Sequence, residues 1–216
     1  DKVQYPFKPQ SFYHCSKAAD SINLYFACRS WSLRATDLNQ GVVYGIDTPE
    51  TTILKSLNTS FHYDHIFGTV INRFLVQAAI NKPLTIYGKG TQIRTFLNIN
   101  DTLQCIELAI KNPAKISEYK VRNQFTEIFS INQIANLICA SAKKIGLKPK
   151  IQYLRNPRIE QPKHFYKPSN KSFIKIGLKK RKFSEEFIIQ NLYKIIKLKG
   201  LINKKIIDPT ITWKYK

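Results

Sequence analysis

The sequence has no methionine, no closely spaced pair of cysteines and no long apolar run. Because a membrane-spanning helix needs about 18 or more consecutive apolar residues, none is expected here. The cysteines are isolated and no C-x-x-C occurs, which favours free thiols in a reducing compartment over a disulfide scaffold or a zinc site. The opening, DKVQYPFKPQ, lacks an initiator methionine and the apolar segment of a signal peptide, so we expect the natural N-terminus to lie upstream.

Acidic residues are also scarce: 14 Asp and Glu stand against 35 Lys and Arg, a formal net charge of +21. Such a charge is typical of proteins that bind nucleic acid or anionic membranes. The basic residues are nevertheless spread from Lys2 to Lys216, densest in KKRK and IIKLKGLINKK, and no compact nucleic-acid motif is present. We therefore attribute most of the charge to a Lys-, Ile- and Asn-rich composition and expect neither nucleic-acid nor membrane binding, although some of it would attract an anionic substrate.

Metal binding has one weak candidate, the segment HYDH, which brings together His62, Asp64 and His65. Two histidines three residues apart can share a metal ion on a helix, but no second pair of ligands accompanies them. The segment is better explained as a polar loop, and no metal site is predicted.

Strand-like and helix-like stretches alternate along the chain, which predicts an α/β fold with at least some parallel strand pairing. Apolar periodicity and capping residues predict helices over residues 11–31, 68–82, 100–112 and 130–146, and a mostly helical C-terminal third. Residues 46–65 are predicted to form an irregular loop. Strands are predicted within residues 33–45, 84–90, 118–124 and 149–154.

The first predicted helix carries a tyrosine and a lysine four residues apart, Tyr13 and Lys17 in SFYHCSK. Residues at this spacing share one face of a helix. A phenol has a pKa near 10, and a cation held beside it favours the phenolate, so such a pair can take a proton from a sugar hydroxyl. The pattern also occurs by chance in many helices, so its surroundings must decide.

These surroundings resemble the second half of an extended short-chain dehydrogenase/reductase that acts on a nucleotide sugar. The resemblance rests on five segments in order, FYHCSK, RATDLNQGVVYG, YGKGTQIRTF, RNQFTE and NPRIE, and extends to ITWKYK. It implies the end of a Rossmann sheet followed by a small α/β substrate domain. The N-terminal half, with its glycine-rich loop and a third catalytic hydroxyl, is absent, since no strand–GxGxxG–helix unit occurs in the sequence.

The resemblance also implies which residues carry function. Tyr13 and Lys17 would be catalytic. The residues expected to contact NAD are Tyr13, Lys17, Asn39, Gln40 and Val43. The residues expected to contact the UDP-sugar are Gln40, Thr69, Asn72, Arg73, Tyr87, Gln92, Arg94 and Arg158. Arginine forks suit a diphosphate, but Thr95 stands where many relatives have Asp or Gly, which leaves the support of Arg94 open.

The domain division implied is residues 1–50 as the end of the NAD-binding domain and 51–216 as mainly the substrate domain, with residues of about 95–125 returning to the first. Within the family the match is to a member that joins UDP-glucose and sulfite in sulfolipid biosynthesis. Resemblance to that member implies that this protein is a homodimer in the plastid (chloroplast stroma). It also implies a ferredoxin-dependent glutamate synthase as possible supplier of sulfite. The alternatives are a 4-epimerase or dehydratase of the same family, and a non-catalytic basic remnant or binding module that pairs with another chain.

Overall fold

A computed structural model of the chain describes Pro9 and residues 11–58, 60–156 and 167–208. Within these ranges the strands are β1 (Ala35–Gln40), β2 (Val42–Tyr44), β3 (Leu84–Tyr87), β4 (Ile93–Asn98), β5 (Tyr119–Gln124), β6 (Glu127–Ser130) and β7 (Ile151–Leu154). The helices are α1 (Phe12–Ser30), α2 (Pro49–Ile53), α3 (Val70–Ala79), α4 (Ile99–Lys111), α5 (Ile131–Lys144), α6 (Lys171–Lys175) and α7 (Glu185–Lys197). Single turns of 3₁₀ helix occur at Lys55–Leu57, Lys199–Leu201 and Lys204–Ile206.

Parallel pairing dominates the strands. β1 pairs with β5, β2 with β4 and β3 with β7, all in parallel, and β6 lies antiparallel to β4. In the first pair Ala35 lies opposite Tyr119 and Gln40 lies opposite Gln124. Parallel neighbours this far apart in sequence need crossover connections, which the helices provide. The predicted α/β class is therefore confirmed.

The main core forms around α3, whose residues from Ile71 to Ala79 are all buried. Its sequence, VINRFLVQAA, is apolar on most sides, and α5 and α7 pack against it. Gln77 is fully buried and bonds Thr85 twice, through its side-chain oxygen to the backbone N–H (3.1 Å) and through its amide to the hydroxyl (2.8 Å). These bonds satisfy buried polar groups, so α3 is fixed against β3.

The structure corrects the sequence analysis at three places. It adds β4 and β6, which were not predicted as strands; β4 pairs with both β2 and β6. It adds α2 inside residues 46–65, where Thr48 and Thr51 form a reciprocal capping box. It also begins α4 before residue 100, with Asn98 as its N-cap.

Helix α1 lies at the edge of the described structure. It has an apolar face that is largely exposed, made by Ala18, Ile22, Tyr25 and Phe26, and Cys28 is its one fully buried residue. No helix among the described residues is both long and apolar enough to cross a bilayer. All four cysteines are free.

Residues 179–183 form an extended basic segment bound to three acidic or amide side chains. Alternate backbone N–H groups donate outward: Lys179 to Gln104, Arg181 to Asp101 and Phe183 to Glu127. Asp101 is fully buried and also accepts from the Arg181 guanidinium at 3.2 Å. Glu127 also accepts from the Tyr44 hydroxyl at 2.9 Å.

This arrangement predicts a pH effect on stability. Burial raises the pKa of Glu127 above its ordinary value, so ionised Glu127 is less favourable in the folded than in the unfolded chain. The contribution of Glu127 to the free energy of unfolding should therefore fall as pH rises from the unfolded towards the folded pKa. In chemical denaturation from about pH 4 to about pH 8, the free energy of unfolding of the wild type should fall relative to that of Glu127→Gln. The control is exposed Glu107→Gln; a difference between Glu127→Gln and wild type that is constant with pH would contradict the prediction.

Candidate active site

Tyr13 and Lys17 lie in the first two turns of α1. The helix begins after Ser11, whose hydroxyl accepts from the His14 backbone N–H at 3.1 Å. The Lys17 ammonium lies 5.9 Å from the centroid of the Tyr13 ring, and both side chains are exposed. Lys17 also pairs with Asp20 at 2.8 Å, and this hydrogen bond raises the pKa of Lys17. The lysine is thus firmly cationic beside the phenol, as an activating group must be.

Two contacts show which end of the sheet this pair approaches. Ser21 contacts Asp37 in β1, whereas Tyr25, one turn later, contacts Tyr119, which lies opposite the first residue of β1. α1 therefore runs antiparallel to β1. Tyr13 lies about 12 Å before Ser21 along the helix, and Gln40 lies about 10 Å beyond Asp37 along the strand. The helix start and the strand end consequently lie at one level.

Amide side chains occupy that strand end. Asn39 and Gln40 are exposed at the carboxyl end of β1, where ligands bind in open parallel sheets. The Asn39 amide donates to Asn123 at 3.3 Å, and the Asn123 amide donates to the Ser169 carbonyl at 2.9 Å. Sequence reasoning missed Asn123; its segment, RNQFTE, was part of the resemblance, but only the strand register places it opposite Asn39.

A second group of predicted residues gathers where β3 ends. The guanidinium of Arg73 donates to the Thr85 carbonyl (3.1 Å) and lies 4.6 Å from the centroid of the Tyr87 ring. The Gln92 amide donates to the Tyr87 carbonyl at 3.0 Å. Arg73 is buried, so in this structure it supports Tyr87 and the end of β3. Arg94 lies on β4 and donates to the Ile93 carbonyl at 2.8 Å.

The start of α3 connects the two groups. Asn72 accepts from the backbone N–H of Gly45 at 3.3 Å, which holds the exit of β2 against the helix. Thr69 is the N-cap, but its hydroxyl makes no capping bond and is buried without a hydrogen-bond partner among the described residues. An unsatisfied hydroxyl at a helix start suits a polar ligand group. Val43 is half-buried in β2, paired with Leu97, and Arg158 lies outside the described residues.

The turn after β3 is shaped by glycine. Gly88 and Gly90 adopt positive φ angles of 68° and 70°. Asn132, at the start of α5, closes the turn: its backbone N–H donates to the Gly90 carbonyl (3.0 Å) and its amide to the Lys89 carbonyl (3.1 Å). Sequence reasoning missed Asn132, because it lies far from the turn in sequence.

Other reactive groups contribute little to this site. Within the described residues no cluster of three His, Cys, Asp or Glu side chains is arranged to hold a metal ion. His62 lies 3.7 Å from Asp64, and His65 contacts the Ile206 carbonyl. Burial raises the pKa of the Cys105 thiol to about 12, which keeps it protonated.

The arrangement at the strand ends fits the nicotinamide half of a dinucleotide. A phenol and an ammonium at the start of α1 lie at the level of two exposed amides at the carboxyl end of β1. These groups offer hydrogen bonds to a ribose and a carboxamide. Residues for the dinucleotide diphosphate are not among them.

The model of the NAD dependent epimerase/dehydratase family matches residues 1–123, and the chain belongs to that family. The family is NAD-dependent, and the match includes both α1 and the β1–β5 pair.

Two curated relatives narrow the likeness. A chloroplastic UDP-sulfoquinovose synthase of Spinacia oleracea is 45% identical over 214 residues, 99% of this chain and 44% of its own length. A UDP-sulfoquinovose synthase of Sulfolobus acidocaldarius is 36% identical over 216 residues, 99% of this chain and 55% of its own length. The chain therefore spans about half the length of the curated relatives it matches.

Solved structures agree on the fold. A UDP-glucuronic acid 4-epimerase from Bacillus cereus, in complex with UDP-glucuronic acid and NAD, superposes with a TM-score of 0.64 at 22% identity, covering 92% of this chain and 57% of the other. A UDP-glucose 4-epimerase from Thermus thermophilus, in complex with NAD, gives a TM-score of 0.63 at 20% identity, covering 90% and 58%. At these identities the likeness defines the fold alone.

Proposed function

We propose that this chain forms part of a UDP-sulfoquinovose synthase, which converts UDP-glucose and sulfite to UDP-sulfoquinovose with NAD as cofactor. The observation that carries the proposal is a chain 45% identical to such a synthase over nearly all its length, with Tyr13 and Lys17 at the level of the strand-end amides. Such an enzyme is formally a hydrolase acting on carbon–sulfur bonds.

In the proposed mechanism Tyr13 is the base that takes the proton from the glucose 4-hydroxyl. Lys17 favours the phenolate by its positive charge and turns from Asp20 towards the cofactor ribose. NAD, when bound, supplies the acceptor and later the donor of a hydride at C4. The 4-keto group would acidify the C5 proton, and loss of that proton and of the 6-hydroxyl as water would give a 4-keto-glucose-5-ene. Sulfite would then add at C6, and the C4 carbonyl would be reduced back to the hydroxyl.

Substrate and cofactor contacts are proposed for two sets of residues. Asn39, Gln40 and Val43 join Tyr13 and Lys17 around the nicotinamide, with Gln40 also near the sugar.

For the UDP group, the unsatisfied Thr69 hydroxyl is a direct contact, and Arg94 and Arg158 supply positive charge for the diphosphate. Around the UDP group we place four residues that are held by hydrogen bonds within the protein, Asn72, Arg73, Tyr87 and Gln92.

The assembly and location are also proposals. We propose a homodimer in the plastid stroma, supplied with sulfite by a ferredoxin-dependent glutamate synthase. The location is supported by the chloroplastic relative.

The test is product analysis of the full-length gene product, incubated with UDP-glucose with and without sulfite. The proposal requires UDP-sulfoquinovose in the presence of sulfite only. UDP-galactose in both reactions would identify a 4-epimerase, and a 4-keto-6-deoxy sugar a dehydratase. Absence of bound NAD together with salt-dependent binding to nucleic acid would instead support the binding-module alternative.

A further inference from the structure

We propose that Asp37 is a positioning residue that fixes the rotation of α1 about its axis, and with it the direction in which Tyr13 and Lys17 point. Its effect on catalysis rests on the function proposed above, whereas its effect on the helix does not.

Asp37 joins three elements through one oxygen. Ser21 of α1 donates to its Oδ2 at 2.6 Å, and the hydroxyl of Tyr119, on β5, donates to the same atom. The Tyr119 ring also meets the Tyr25 ring edge-on, with centroids 5.9 Å apart. Burial and the bond to Asp37 raise the pKa of Tyr119, so its phenol stays protonated and keeps donating. We call Ser21, Asp37 and Tyr119 the hydroxyl–carboxylate node.

The node meets α1 on the face that carries Tyr13 and Lys17. Tyr13, Lys17 and Ser21 are spaced four residues apart and form a continuous row. A bond from Ser21 to the strand therefore sets where the rest of this row faces. Hydrogen bonds to a charged acceptor are short and strong, and this one is half-buried.

The rest of α1 is suited to such control. In this chain much of its apolar face is exposed and Cys28 is its one buried residue, so packing against the other described residues constrains its rotation weakly. Asp37 lies two residues before Asn39 on the same side of β1. A carboxylate at this position thus connects the helix row to the strand that carries the amides.

The experiment compares Ser21→Ala, Tyr119→Phe and Asp37→Ala in this chain by hydrogen exchange. We expect exchange of the α1 amides to accelerate about tenfold, with α5 and α7 unchanged. Adding Ser21→Ala to Asp37→Ala should have no further effect, because the bond is already lost. The matched controls are Ser141→Ala on α5 and Tyr193→Phe on α7. Ser21→Thr keeps a hydroxyl and should show the wild-type rate of hydrogen exchange in α1.

In the full-length enzyme the same variants should lower kcat while the KM for UDP-glucose stays near wild type, with Ser21→Thr again restoring activity. Unchanged exchange in α1, equal acceleration in every helix, or a wild-type kcat despite faster α1 exchange would each overturn the proposal. If wild-type enzyme makes no sulfite-dependent product, the proposed function fails instead, and hydrogen exchange still decides the role of Asp37.

Discussion

Replacing Tyr13 by phenylalanine is expected to lower kcat about 100- to 10,000-fold and to leave bound NAD in place. The change removes the hydroxyl that takes the proton from the sugar and keeps the ring that lies 5.9 Å from the Lys17 ammonium. Because the Tyr13 side chain is exposed and its hydroxyl makes no hydrogen bond with the described residues, the fold should be unaffected. The measurements are steady-state kinetics with UDP-glucose and sulfite, and the NAD content of the purified full-length protein.

The matched control is Tyr193→Phe, which removes the same hydroxyl from an exposed tyrosine on α7 and should leave kcat unchanged. A Tyr13→Phe enzyme with kcat near wild type would remove Tyr13 from the proposed mechanism. If the variant loses both bound NAD and activity, the phenol is needed to bind the cofactor. The pH dependence of kcat in Lys17→Arg then distinguishes cofactor binding by Tyr13 from its role as a base.

Substituting alanine for Gly90 is expected to lower the free energy of unfolding by about 2–4 kcal/mol. Gly90 has a φ of +70°, and a Cβ there would lie 2.0 Å from Asn132 Oδ1 and 2.8 Å from Ile86 Cγ2. The new methyl group therefore meets both a strained backbone and the side chain that closes the turn. Denaturant unfolding followed by circular dichroism measures the change in the free energy of unfolding.

Gly88→Ala separates the two causes. Gly88 has a similar φ of +68°, but its nearest neighbour, Asn156 Cβ, would be 3.6 Å from the added carbon. Only the backbone cost remains, about 1 kcal/mol. Equal losses in the two variants would show that the contact with Asn132 does not constrain the turn.

The local features of the site follow from nearby residues. Ser11 before the first helix, Ser130 and Gln133 at the start of α5, and the four-residue spacing of Tyr13 and Lys17 are all legible in the sequence, because caps and helix faces depend on neighbours within one or two turns. The predicted helices and most strands were therefore found where they occur. The division into two domains and the assigned contacts stay predictions.

Arg73 shows where local reasoning stopped. The family resemblance implies that Arg73 contacts the UDP-sugar. In the structure it is buried and contacts Thr85 and Tyr87, because β3 passes beside α3. Arg73 is therefore related to the proposed UDP site only through its contact with Tyr87.

The sequence by itself determined the family, the α/β class, the positions of the longer helices and the Tyr13–Lys17 pair, since each rests on a motif or on contacts close along the chain. Only the tertiary structure decided that β4 and β6 pair, that Asn123 lies opposite Asn39, that Asn132 closes the glycine turn and that Asp37 joins α1 to the sheet. The physical reason is that register, burial and side-chain bonding between distant segments depend on how the whole chain packs.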